Sequence, residues 1–256
     1  LERNQAGGFI IMKPSTDQKT LYVVGSEMIA GSIMKDIEKK GFRLATKEEL
    51  ERERQNVDLV IETTCLDLEK KKANLQMIEA AVEESTLILS SVLSISATES
   101  ASFLNNPSRL VGFGILGSWE EAALVEVAPA LQTDEEYLDQ VSNLLSEFDK
   151  EMEVVQDEAG LVFPRILSLI INEAAFALNE GIASASEIDI AMMKGTNYPM
   201  GPLAWADKVG IDNVYSVLMG LHRSLGEERY RPAPLIRKMV HAGWLGEQTG
   251  KGFYET

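Results

Sequence analysis

Few motifs in this sequence are of kinds that carry chemistry, and the spacing within those few is incomplete. The run Gly25-Ser26-Glu27-Met28-Ile29-Ala30 follows an apolar stretch and opens a helical one. A strand, a Gly-x-Gly-x-x-Gly turn and a helix together cradle a dinucleotide pyrophosphate: the second glycine lets the backbone approach the phosphates, and the third allows close helix packing. Only Gly25 is in place here. Ala30 is a mild change, but Glu27 puts a side chain and a negative charge where a diphosphate would lie. Two unit charges about 4 Å apart repel by roughly 1 kcal/mol in water and roughly 4 kcal/mol at an effective dielectric near 20. In the first turn of a helix the same carboxylate gains about 0.3–1 kcal/mol from the dipole, so Glu27 is expected to serve as the helix's own anion. An acid for the adenosine ribose belongs about 20 residues further on. That neighbourhood reads Ala45-Thr46 before Glu48, and Thr46 cannot act as a carboxylate.

Bases and metal ligands are equally scarce. The only histidines are His222 and His241, each expected to serve a surface or helix-cap role, and Cys65 is the only cysteine. One cysteine rules out an intrachain disulfide and a cysteine-rich metal site, and it suits a reducing compartment. With so few ligands a zinc enzyme is not expected. The net charge of −16 argues against nucleic acid and anionic lipid surfaces as partners, since both are bound by neutralising phosphates with Lys and Arg. No stretch reaches the ~18 apolar residues of a membrane span, and no basic region followed by an apolar run opens the chain, so a cytoplasmic location is expected. Residues 1–18, a polar, glycine-containing lead-in, are set aside as a tag or disordered segment.

The 256 residues, 45% of them hydrophobic, suffice for one large core or two modest ones. From residue 20 to about 156, short apolar β-rich runs alternate with amphipathic helical ones. The spacing predicts strands at Leu21–Gly25, Phe42–Ala45, Val57–Glu62, Thr86–Ser90, Leu110–Phe113, Leu124–Val127 and Glu153–Val155. It predicts helices at Met28–Lys40, Lys47–Arg54, Leu68–Val82, Ala97–Leu104 and Asp134–Phe148. Repeated β-α order implies a mostly parallel, doubly wound sheet. Beyond Gly160 the β signal fades, and Leu161–Asn179 reads as a long helix apolar on most sides. Ser184 with Glu187 forms a capping box, and Gly201-Pro202 sets a helix start.

The residues Asn172-Glu173-Ala174, Gly181, Ser186-Glu187-Ile188-Asp189, Tyr198-Pro199-Met200-Gly201-Pro202-Leu203 and Ala206-Asp207 resemble the C-terminal domain of 3-hydroxyacyl-CoA dehydrogenases. Gly243-Trp244-Leu245-Gly246 and Gly250-Lys251-Gly252-Phe253-Tyr254-Glu255 resemble that domain's closing signature, so the likeness spans almost all of residues 160–256. Asn197-Tyr198-Pro199 and Gly201-Pro202-Leu203-Ala204-Trp205-Ala206 are especially similar to the second helical domain of the duplicated enzymes of phenylacetate breakdown. The resemblance implies a Rossmann-like domain at 19–158, a smaller all-helical domain at 159–256, and a homodimer formed through the helix bearing Leu169, Ile170, Ile171, Phe176 and Leu178. It also implies NAD-dependent oxidation of a 3-hydroxyacyl-CoA, with a glutamate-oriented histidine as base. A positioned base is worth about 10²–10⁴-fold.

Carried over position by position, the family's motifs are depleted. The strand that reads Gly-x-His-Phe-Phe-Asn-Pro in the family is Gly112-Phe113-Gly114-Ile115-Leu116-Gly117-Ser118 here, so the histidine falls on Gly114 and the asparagine on Gly117. Glu126 of Leu124-Val125-Glu126 keeps the orienting glutamate, whose alternative reading is a strand-end residue kept for folding. The substrate serine falls on Leu93, with Ser94 one residue away, and a second-domain asparagine falls on Pro164. The segment joining the second and third strands is short, Thr46–Asn56, where the family inserts a helical hairpin. Among cofactor-contacting positions Gly25, Glu62 and Lys71 remain, although Lys71, between Lys70 and Lys72, reads more readily as solvated helix surface than as a cofactor contact. The expectation is therefore a noncatalytic relative with no bound cofactor. It would bind an acyl-CoA or partner an active dehydrogenase subunit. The alternative is an active NAD-dependent 3-hydroxybutyryl-CoA or longer-chain dehydrogenase with an unrecognised base.

Overall fold

The computed structural model describes residues 18–25, 27–52 and 57–255; apart from Gln18, the lead-in at 1–18 lies outside the described residues. The first part of the chain alternates strand and helix: β1 (Thr20–Val24), α1 (Glu27–Lys39), β2 (Arg43–Leu44), α2 (Lys47–Arg52), β3 (Leu59–Glu62), α3 (Leu68–Ala81), β4 (Leu87–Ser91), α4 (Ala97–Ala101), β5 (Leu110–Gly114), β6 (Leu124–Pro129), α5 (Glu135–Glu147) and β7 (Glu151–Val154). Five helices follow: α6 (Phe163–Asn179), α7 (Ala185–Thr196), α8 (Pro202–Val209), α9 (Ile211–Leu225) and α10 (Pro234–His241). The sequence expectation locates every strand, with ends displaced by one or two residues. It overextends α4, which stops at Ala101 rather than Leu104.

The seven strands form one sheet in the order β2-β1-β3-β4-β5-β6-β7. All neighbours are parallel except β5 and β6. That exception follows from chain length. Residues 115–123 contain no helix, and a parallel crossover needs about a dozen residues or more, so β6 must return antiparallel. The central strands β3, β4 and β5 are buried along their whole length, which accounts for their unbroken apolar runs. Leu21, Leu59, Leu89, Val111 and Phe113 face α1 and α5 and share one core with Leu167, Ile171, Val214 and Val217 of the helical part. The alternate residues Tyr22, Val60, Ile88 and Leu110 pack with Leu75 and Ile78 of α3 and Ala97 of α4. β2 and β3 lie on opposite sides of β1, which makes the carboxyl ends of β1 and β3 the topological switch point, where open α/β sheets receive nucleotides.

The helical part is organised around α6, which packs on α8, α9 and α10. Its signature residues are bonded to backbone. Asp189 accepts from the amides of Leu203 (2.8 Å) and Ala204 (2.9 Å) and from the Tyr254 hydroxyl (2.7 Å). Asp207 accepts from the amides of Phe253 and Tyr254, both at 2.8 Å. Asn172 bonds the Arg231 carbonyl (3.0 Å) and the Ala233 amide (2.8 Å). A Cβ on Gly201 would strike Asp189, and one on Gly252 would strike Asp207. The motif that makes this half recognisable is thus a clamp holding the C-terminal segment to α8.

Candidate functional site

At the switch point, Gly25 has φ +130° and lies against the segment after β3: a Cβ there would stand 2.5 Å from both Thr63 Oγ1 and the Thr64 nitrogen. This glycine is required by the chain's own packing, whatever else it serves. Glu27 is the first residue of α1, and its side chain lies outside the described residues. Thr46 opens α2 through a reciprocal capping box. Its amide donates to Glu49 Oε2 (2.8 Å) and its hydroxyl accepts from the Glu49 amide (3.3 Å). That amide bond, more than the nearby Arg43 charge, holds the Glu49 carboxyl below its ordinary range.

Beneath the switch point, Lys71 and Glu62 form an ion pair with both residues fully buried. Lys71 Nζ also donates to the carbonyls of Ser91 (2.8 Å) and Thr64 (3.2 Å). Glu62 accepts in addition from the Thr64 amide (2.8 Å) and the Ser90 hydroxyl (3.0 Å). The solvated-surface reading of Lys71 is therefore corrected. Lys71, Leu75 and Ile78 are the buried residues of α3, and the i, i+4, i+7 spacing that puts them on one inward face was legible in the sequence. Cys65 adjoins this cluster, with its Sγ 3.2 Å from the Thr63 carbonyl and 3.4 Å from Ser91 Oγ. Burial pushes its thiol up to about 11, against a smaller opposing influence from Lys71.

At the carboxyl end of β5, the position of the expected base is Gly114. A Cβ there would meet Leu161 Cδ1 at 2.9 Å and Cγ at 3.3 Å. Leu161 is 3% exposed and holds a left-handed φ of +49°, so a buried leucine in an uncommon backbone conformation covers this point. Glu126 is beside it, committed elsewhere: Oε2 accepts from the Val162 amide and Oε1 from the Phe163 amide, each at 2.8 Å. These are unpaired donors at the start of α6, and Pro164 next to them has no N–H to offer. Glu126 thus works as a helix cap, in keeping with its alternative reading as a residue kept for folding. Leu93 is fully buried in the core, and Ser94 donates to the Cys65 carbonyl. His222 lies in the last turn of α9 and His241 in that of α10, where cations are favoured by the dipole.

Two residues missed in the sequence shape this region. One is Leu161. The other is Trp119, fully buried, whose Nε1 donates to Asp36 Oδ2 (2.9 Å) and whose amide donates to the Ser32 hydroxyl (3.1 Å). Its ring meets Phe113 and Phe148 edge-on at 6.3 and 5.6 Å. Lys150 Nζ lies 4.9 Å from the ring and bonds the Trp119 and Ala122 carbonyls at 2.7 and 2.9 Å. Trp119 pins the β5–β6 loop into the core. The loop forms one side of a cavity of about 500 Å³, bounded by Gly114, Gly117 and Glu126 and, on the helical side, by Phe163, Trp205 and Val209. The cavity occupies the place where the sequence positions a reaction centre, and its lining holds no histidine. Replacing Gly114 by His is expected to overpack Leu161 and lower stability by about 1–3 kcal/mol. Thermal unfolding checks this, and an unchanged midpoint would count against Leu161 filling the position.

Among the described residues, no group of three or more His, Cys, Asp or Glu side chains is placed to hold a metal, and no helix is long and apolar enough to cross a membrane. Residues 19–158 match the family model for the NAD-binding domain of 3-hydroxyacyl-CoA dehydrogenase, and residues 160–256 match the model for its C-terminal domain. A probable 3-hydroxybutyryl-CoA dehydrogenase of Bacillus subtilis is 38% identical over 83% of this chain and 74% of its own length. A 3-hydroxybutyryl-CoA dehydrogenase of Bradyrhizobium diazoefficiens is 34% identical over 83% of this chain and 72% of its own. The crystal structure of (S)-3-hydroxybutyryl-CoA dehydrogenase from Ralstonia eutropha superposes with a TM-score of 0.73 at 30% identity, covering 93% of this chain and 99% of that one. The sheet order, the clamp that holds the C-terminal segment and these likenesses agree: the chain belongs to the 3-hydroxyacyl-CoA dehydrogenase family.

Proposed function

We propose that this chain is a noncatalytic member of its family. In this reading it acts in acyl-CoA and fatty-acid metabolism in the cytoplasm, as a protein that binds an acyl-CoA-like ligand or partners an active dehydrogenase subunit. The observation that carries the reading is Gly114 facing Leu161, with Glu126 holding the start of α6 in place of a base. The switch point supports it. Of the positions expected to meet NAD, Gly25 is required by its own packing, Thr46 caps α2, and Glu62 and Lys71 bond each other out of reach of solvent. These residues do not fit the cofactor. Calorimetric titration with NAD and with NADH is expected to show no heat at millimolar ligand, and saturable binding of either would contradict the reading.

The alternative, an active NAD-dependent 3-hydroxybutyryl-CoA dehydrogenase with another base, draws on the match of residues 19–158 to the NAD-binding model and on the names of the relatives. Homodimerisation through the α6 side belongs to the same proposal, with a revised face. Ile171 is buried within the chain, whereas Ile166, Ile190 and Met193 are exposed and Leu169 and Ile170 partly so. Sedimentation at micromolar concentration is expected to give a dimer. A monomer throughout would remove this part.

A further inference from the structure

The cavity beside Gly114 is bordered by two glycines and an anchored loop. Gly114 and Gly117 add no side chain to it, and the buried Trp119 anchors the loop that borders it. The opposite wall is aromatic. Phe163 and Trp205 lie with ring centroids 6.3 Å apart at an interplanar angle of 58°, and Tyr198 meets Trp205 edge to face at 6.4 Å. Tilted and edge-on ring pairs at such separations are favourable, so a third flat ring has partners here. The charged lining is unbalanced: Glu121, Glu126 and Glu247 stand against Lys208, which already bonds Glu121 at 2.8 Å. A free carboxylate would be repelled, whereas a neutral acyl derivative would not. A short 3-hydroxyacyl group has no ring to set against this aromatic wall and so gains less from it than an aryl group does.

We propose that this cavity binds the aryl group of a neutral aryl-acyl derivative, an ester, thioester or amide, in preference to a short 3-hydroxyacyl group. The inference rests on the noncatalytic reading of the same site, because it gives a binding role to a cavity whose lining holds no histidine to act as base.

Calorimetric titration of the full chain uses three probes: the N-acetylcysteamine thioesters of 3-phenylpropionate and of 3-hydroxybutyrate, and free 3-phenylpropionate. The aryl thioester is expected to bind at least about tenfold more tightly than either of the others. Phe163→Ala, at a residue 47% exposed and therefore tolerant of change, is expected to remove most of that advantage. The inference is overturned if the 3-hydroxybutyrate thioester or the free acid binds as tightly, if none of the three binds, or if Phe163→Ala leaves the aryl thioester unaffected. NAD-dependent oxidation of the 3-hydroxybutyrate thioester in the same samples would count against the noncatalytic reading alone. The order of the Kd values decides the ligand class in either case.

Discussion

Lys71→Met is expected to lower the unfolding free energy by about 3–5 kcal/mol, because it strands the Glu62 carboxylate in the core without its cation. Methionine nearly matches the length of lysine, so the void is small and the effect is electrostatic. Glu62 would keep its bonds from the Thr64 amide and the Ser90 hydroxyl, which compensate only in part. The double variant Glu62→Gln with Lys71→Met removes both charges and is expected to be more stable than Lys71→Met alone. Urea denaturation at neutral pH measures both. A loss below about 1 kcal/mol for the single variant would place Lys71 at an exposed site, where ion pairs are worth that little, and would reopen its reading as a cofactor contact.

Glu126→Ala is expected to cost about 2–6 kcal/mol, since it leaves the Val162 and Phe163 amides at the start of α6 without acceptors, each worth about 1–3 kcal/mol. A glutamate whose only task was to orient a base would be replaceable with little loss of stability. Glu126→Gln separates the two roles. The amide side chain can accept from one of the two N–H groups but turns a donor toward the other, so an intermediate loss is expected. Denaturant unfolding reads the series. An Ala variant as stable as the parent would contradict the capping role.

Much of the fold was legible because it rests on periodic patterns. The buried runs of β3, β4 and β5, the capping box at Ser184 and the glycines of the C-terminal clamp all record local rules in the sequence. The antiparallel turn into β6 was also implicit, in the length of the loop before it. The site was less legible. Absences such as Gly114 and Gly117 showed directly, but what fills the space did not, since Leu161 meets Gly114 only once the chain has folded residues 47 positions apart together. Trp119 sits in a loop with no periodicity, and its partners Asp36 and Phe148 come from α1 and the end of α5. Lys71 was misread because its charged neighbours outweighed the spacing to Leu75 and Ile78, which puts all three on the inward face of α3. The contacts of Leu161 and Trp119, by contrast, leave no local signal.

The most direct test of the central claim is a turnover assay. Protein freed of contaminating dehydrogenases is mixed with (S)-3-hydroxybutyryl-CoA and NAD, and NADH formation is followed by its near-ultraviolet absorbance. With Gly114 at the position of the base and Glu126 bound to the start of α6, the expected result is no formation of NADH above the background without protein. Sustained NADH formation that scales with protein concentration would contradict the account.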